Sequence, residues 1–175
     1  VALNCVANGK LLEEKIFDDI WIQPASGDAG SALGAALLGW HEHLKKPRKA
    51  NNNDSMKGTY LGCEFSNEEI IDYLRKINAP FKRLEDEELF EKLAHILSEG
   101  KVIGWFNGAM EFGPRALGGR SIIGDPRNQN MQSVMNLKIK YRESFRPFAP
   151  SVLEEEVANQ FEMNVKSPYM LLVAP

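Results

Sequence analysis

An α/β or α+β architecture is predicted by three observations. Amphipathic helical periodicities alternate with short apolar runs of strand length, glycines and prolines punctuate the joins, and the 43% hydrophobic content is that of a globular chain. A length of 175 residues leaves room for one domain or parts of two.

The first element is open between two forms. VALNCVANGKLL contains Asn8-Gly9, the usual two-residue hairpin signal, yet it also reads as a helix that Gly9 interrupts. Asp18 to Pro24 alternates Ile20 and Ile22 with Trp21 and Gln23 and ends in proline, which predicts a short strand. Ser26, Gly27 and Asp28 then offer caps to a helix whose Leu33, Ala36, Leu37, Trp40 and Leu44 recur at spacings of three and four. Residues 45–58, KKPRKANNNDSMKG, are polar and Asn-rich with Met56 as the one large aliphatic, the composition of a linker. The segment before that linker is too short for a stable core of its own.

Beyond the linker, Ser66 and Glu69 form a capping-box pattern ahead of Ile70, Tyr73, Leu74 and Ile77 on one helical face. Asp86 to Glu99 carries Leu89, Phe90, Leu93, Ile96 and Leu97, with Gly100 as its stop. Val102 to Phe106 predicts a buried strand and Ser121 to Gly124 a second. Met131 to Ile139 predicts a helix with Met131, Val134, Met135 and Leu137 inward. The prolines of Arg146-Pro147-Phe148-Ala149-Pro150 then impose an extended exit.

Charge is distributed unevenly. Between Arg115 and Arg146 seven cations (Arg115, Arg120, Arg127, Lys138, Lys140, Arg142, Arg146) face two acids (Asp125, Glu143). That window is about +5 in a chain of net charge −3, a basic island suited to an anion. Five of the seven are arginines, whose planar fork pairs two oxygens of a phosphate or carboxylate. General nucleic-acid binding is disfavoured by a pI near 5.7. No apolar run approaches the roughly 18–20 residues that span a bilayer, and no signal-peptide pattern opens the chain. Cys5 and Cys63 lie far apart with no CxxC spacing, so a cytoplasmic location is expected, without a disulfide framework or zinc site. The opening VALN lacks Met and the closing YMLLVAP is apolar, so both ends are expected to be cut from a longer polypeptide.

Two constellations point to chemistry, and a third is ambiguous. In FGPRALGGRS, Arg115 and Arg120 are bracketed by Gly and Pro and followed by Ser121, a pattern that makes a nest of backbone donors with two guanidinium arms. Lys138, Lys140, Arg142 and Arg146 follow Asn136; Lys138 and Arg142 share a face if the helix continues. The loop Arg115–Ser121 and the arm Lys138–Arg146 are expected to face each other across one pocket. In PASGDAG, backbone N–H groups at a helix start suit a phosphate, while Asp28 either ligates a cation or caps the helix, with capping the reading the residues favour. Glu111 is expected to be a solvated carboxylate pairing an arginine, ahead of a general base. His41 and His43, two apart, face different ways on a helix, and His95 falls on a polar face.

The segments VALNCVANGKLL, IQPASGDAGSALGAALLGW, YLGCEFSNEEI, KVIGWFNGAMEFGPRALGGRSIIGDPR and NLKIKYRESFRPFAPSVLEE together resemble the O-carbamoyltransferases of the nodulation and antibiotic-tailoring family. The resemblance implies an α/β fold in two modules. Residues 1–44 would end a kinase-like, actin-type ATPase domain that transfers carbamoyl, 45–58 would be the linker, and 59–175 would be most of a twisted-sheet domain similar to threonylcarbamoyl-adenylate synthase. It implies that carbamoyl phosphate and ATP give carbamoyl-adenylate, and that the carbamoyl group then passes to a hydroxyl acceptor. Carried over by motif, Arg115, Lys138, Arg142 and Arg146 would serve catalysis, and with Arg120, Ser121 and Lys140 would hold carbamoyl phosphate and the nucleotide phosphates. Gly27 and Gly30 would line a nucleotide site. Asp28 would ligate a divalent metal ion, Mg or Fe, shared with histidines upstream, which reverses the capping preference. The alternatives are a free-standing carbamoyl- or threonylcarbamoyl-adenylate synthase, and a non-catalytic phosphate-sensing domain.

Overall fold

Six α-helices and a two-stranded antiparallel sheet make up the regular structure of the described residues, a mixed α/β arrangement. The computed structural model describes residues 1–50 and 53–175; Asn51 and Asn52, which fall in the expected linker, lie outside the described residues. The chain divides into two compact units. The first comprises Val1–Gly62, Ala109–Leu117 and Val152–Pro175; the second comprises Cys63–Gly108 and Gly118–Ser151.

In the first unit, Cys5–Glu13 forms helix α1, so the helical form of the opening segment is realised and the hairpin is not. Asn4 caps it by accepting the Ala7 N–H at 3.1 Å. The Asn8-Gly9 pair serves packing instead of a turn. Asn8, 6% exposed, donates from Nδ2 to the carbonyls of Ala2 and Leu171. A Cβ on Gly9 would lie 2.5 Å from the Val173 carbonyl oxygen, so the helix meets the C-terminal strap only because that side chain is missing.

The strand expected over Asp18–Pro24 does not form: these residues join no ladder among the described residues, and run as a bend, coil and a turn into the next helix. Helix α2, Asp28–Leu38, begins from Gly27 as N-cap, and Asp28 is its first helical residue without a side-chain capping bond. A wider π-turn, Gly39–His43, continues it. Its expected inward residues Leu37, Trp40 and Leu44 are exposed. Residues 59–62 run beside 109–112: Phe112 N–H donates to Thr59, Gly62 N–H to Met110, and Tyr60 bridges Glu111. Ala25, Met56 and Leu171 are this unit's buried apolar residues.

In the second unit, helix α3 (Asn67–Lys76) starts at the expected capping box. Ser66 Oγ accepts the Glu69 N–H, and the Glu69 carboxylate accepts the Ser66 N–H at 2.8 Å. Helix α4 (Asp86–Ser98) is followed by strand β1 (Ile103–Phe106), which pairs antiparallel with β2 (Arg120–Ile123) in the register Ile103–Ile123, Gly104–Ile122, Trp105–Ser121 and Phe106–Arg120. Alternation puts Ile103, Trp105, Ser121 and Ile123 on the better-covered face and Phe106 and Arg120 on the exposed one. Phe90, Leu93, Ala94 and Leu97 of α4 line one apolar groove with Ile103, Trp105 and Ile123.

The helix expected over Met131–Ile139 divides into α5, Met131–Val134, and a π-turn, Met135–Ile139. Met131 and Met135 are buried as expected, but Leu137 is 55% exposed and Asn136 is fully buried in its stead. The extra residue in the π-turn rotates the following side chains, which turns Leu137 out and Asn136 in. In the first unit again, residues Val157–Gln160 make the short helix α6. No helix among the described residues is long and apolar enough to cross a membrane.

Candidate anion-binding site

The loop carrying Arg115 is fixed within the first unit by two side chains that grip the backbone of one residue, Leu117. The Leu117 N–H donates to Glu111 Oε1 at 2.6 Å, and the Leu117 carbonyl accepts the Tyr60 hydroxyl at 2.5 Å. Glu111 is 4% exposed, which overturns the expectation of a solvated carboxylate. Burial leaves it as a loop anchor, since a carboxylate taken from water needs strong donors. Gly113, with φ of 128°, opens the loop in a region that side chains rarely enter.

Arg115 rests on this loop half-buried. Its Nη2 donates to the Leu3 carbonyl at 3.3 Å, while its Nε is buried without an acceptor among the described residues. A guanidinium oriented by a neutral carbonyl keeps its whole charge, and a buried N–H without a partner is costly unless a ligand supplies the oxygen. Arg115 is therefore the cation of the first unit best prepared for an anion.

In the second unit, Arg120 begins β2 opposite Phe106. Ser121 faces inward opposite Trp105, and its Oγ accepts the Gly118 N–H at 3.0 Å, closing the turn at Gly118, where φ is 113°. Its own proton remains to donate. Lys138 lies in the π-turn and Lys140 at its end, both exposed. Tyr141, with φ of 49°, then reverses the chain, so the helix that would have put Lys138 and Arg142 on a common face does not continue.

The remaining arginines divide by partner. Arg127 chelates Asp125 with Nε and Nη2, at 2.9 and 2.7 Å, and this hydrogen bonding holds the Asp125 carboxyl down at about 2. Arg146 Nε pairs with Glu143 at 3.0 Å in the open. Arg142 differs. Its Nε donates to the amide oxygen of Asn136 at 2.6 Å, and its guanidinium carbon lies 4.8 Å from the centre of the Phe148 ring. Both of these partners are neutral, and the nearby Glu143 carboxylate, which feels Arg142 electrostatically, pairs at contact distance with Arg146 instead.

Asp28, Gly27 and Gly30 occupy the turn into α2. Gly30 is required by packing: a Cβ there would lie 2.0 Å from the Ala25 carbonyl oxygen. Gly27 has open space around its Cα. Among the described residues no three His, Cys, Asp or Glu side chains gather as a metal site, so Asp28 offers one carboxylate and these residues alone do not fit a metal ion.

Sequence reasoning singled out the cations. It passed over Glu111 and Tyr60 as loop anchors and Asn136 and Phe148 as the seat of Arg142. The Asn within an otherwise apolar helix face was the one available signal for Asn136.

Two family models match the chain. Carbamoyltransferase N-terminus covers residues 1–37, and Carbamoyltransferase C-terminus covers residues 94–175. An uncharacterised protein of Synechocystis sp. is 65% identical over 99% of this chain and 29% of its own length. The nodulation protein NolO of Bradyrhizobium diazoefficiens is 43% identical over 93% of this chain and 29% of its own. The 3'-hydroxymethylcephem-O-carbamoyltransferase of Amycolatopsis lactamdurans is 32% identical over 97% of this chain and 30% of its own. The chain thus spans about three tenths of the length of these relatives.

Proposed function

Because the chain belongs to the carbamoyltransferase family, whose two models together match more than half of it, we propose that it forms part of an ATP-dependent O-carbamoyltransferase acting from carbamoyl phosphate. The observation that carries the reading to this chain's own residues is Arg115, whose buried Nε lacks an acceptor among the described residues. The end of the N-terminus match at 37 and the start of the C-terminus match at 94 support a module boundary between them. On this reading the earlier module is the kinase-like transfer domain and the later one the adenylate-forming domain.

Carbamoyl phosphate loses phosphate to water and leaves carbamate. A carbamate oxygen then attacks the α-phosphorus of ATP, pyrophosphate leaves with the electron pair of the broken P–O bond, and carbamoyl-adenylate results. An acceptor hydroxyl displaces AMP from the carbamoyl carbon and gives up its proton. The second step brings the carbamate anion against the ATP polyanion, and preorganised cations aimed at the phosphoryl oxygens lower that barrier. Arg115 and Arg142 are assigned to orient the phosphates. Arg120, Lys138, Lys140 and Arg146 add positive potential, and Ser121 adds a hydroxyl donor. A metal ion, if bound at Asp28, takes its other ligands from outside the described residues, and no step here depends on it.

Pyrophosphate release from ATP by the whole protein tests this. Release that requires carbamoyl phosphate, and falls in Arg115→Ala, is expected. Anion binding without pyrophosphate release would overturn the reading in favour of a phosphate sensor.

A further inference from the structure

Asn136 is the largest fully buried side chain among the described residues, and its side-chain hydrogen bonds run to one stretch of backbone and one cation. Its Nδ2 donates to the Ser144 carbonyl at 3.1 Å and the Arg146 carbonyl at 2.8 Å, while its Oδ1 accepts from Arg142 Nε at 2.6 Å. Both amide hydrogens and the oxygen are used, which also fixes which way the amide points. One turn earlier, Gln132 reaches the same backbone more loosely, donating to the Phe145 and Arg146 carbonyls at 3.4 and 3.1 Å.

From these contacts we propose that Asn136 is a positioning residue for the anion site: it sets the plane and direction of the Arg142 guanidinium. An arginine on an idle surface takes a carboxylate when one is near, as Arg127 does here with Asp125. Arg142 is instead held at Nε by an amide and on its face by Phe148; the Glu143 carboxylate acts on it only at longer range, its contact going to Arg146. A carboxylate at position 136 would hold the guanidinium more strongly but cancel its charge. An amide fixes the fork and leaves the Nη edge fully charged for two oxygens of a phosphate. The same amide's donors hold the Ser144 and Arg146 carbonyls, so one side chain ties the arm to its cation, with Gln132 and Phe148 adding to the hold. This rests on the assignment of Arg142 to phosphate binding made above.

The test is carbamoyl phosphate binding by the whole protein, measured calorimetrically, in a double-mutant cycle of Asn136→Ala and Arg142→Ala. Each substitution alone is expected to weaken binding roughly ten- to hundredfold, the scale of a charge-assisted hydrogen bond. In the Arg142→Ala background, Asn136→Ala should add little further loss, because Asn136 acts through Arg142. Asn136→Asp gives a second reading that does not depend on a cavity being tolerated. It keeps an oxygen on Arg142 but neutralises the cation and repels the Ser144 and Arg146 carbonyls, so affinity falls while Gln132→Ala stays near wild type. Losses that add in the cycle, or an Asn136→Asp protein that binds like wild type, would overturn the proposal. If the wild-type protein binds no carbamoyl phosphate, the functional reading fails first and takes this one with it.

Discussion

At the scale of single residues, the basic island is less uniform than its charge suggests. Arg127 and Arg146 are paired with carboxylates, while Arg115 and Arg142 are held by a carbonyl and an amide. Arg115→Ala is therefore expected to weaken carbamoyl phosphate binding by about 1.5–3 kcal/mol, whereas Arg127→Ala should change it little; calorimetric titration of both variants checks the contrast. Gly30 separates structural from ligand roles in the turn before α2. Its missing Cβ would overlap the Ala25 backbone, so Gly30→Ala should cost at least about 1–3 kcal/mol in a thermal or denaturant unfolding experiment. Gly27→Ser, with open space and a capping hydroxyl, should leave stability equal or slightly raised.

At the scale of elements, a turn within the stretch expected as linker is fastened to the C-terminal segment. Asp54 accepts the hydroxyl of Tyr169 and the N–H groups of Met56 and Gly58, and these bonds, the Tyr169 hydroxyl first, lower its pKa. Burial first, and then the Asp54 carboxylate, push Tyr169 up to about 12. The folded state thus holds the phenol proton more tightly than the unfolded chain does. This contribution is complete below the ordinary tyrosine pKa near 10 and is lost as pH rises through about 12. Asp54 has the opposite sense: its contribution is present above the ordinary carboxyl pKa and is lost as pH falls through the lowered value. Ultraviolet titration of the tyrosines should show a late-ionising phenol that disappears in Tyr169→Phe. The elements legible from sequence were those that carry their own signals. Helix α3 announced itself by Ser66 and Glu69, and α4 by its apolar stripe and Gly100. The strand expected at Ile20 and Ile22 did not form, because alternation describes a face to be buried and is silent on whether a neighbouring backbone exists to pair with. Asn8-Gly9 misled for a related reason: its signal is local, while its role, against Leu171 and Val173, depends on residues more than 160 positions away.

At the scale of the whole molecule, the candidate cations are shared between two compact units, Arg115 in one and Arg142 in the other. Loss of either cation is expected to lower carbamoyl-phosphate-dependent pyrophosphate release by the whole protein, and the single variants Arg115→Ala and Arg142→Ala check this unit by unit. The cations themselves were legible in the sequence, because glycine, proline and arginine in one window is a pattern of composition. What holds them was not. The grip of Glu111 and Tyr60 on Leu117 depends on residues 59–62 running beside 109–112, and that of Asn136 on Arg142 on a chain reversal at Tyr141 and a π-turn, none of which apolar spacing encodes.

The neutral seat of Arg142 has a further consequence for how ionic strength acts on the protein. Added salt screens ion pairs in the open, such as Arg146 with Glu143. It has little hold on an amide-to-guanidinium bond backed by an aromatic ring. Rising salt therefore weakens the pull of the arm on a distant phosphate while leaving the arm's own shape intact, so that attraction and architecture respond to the ionic medium separately.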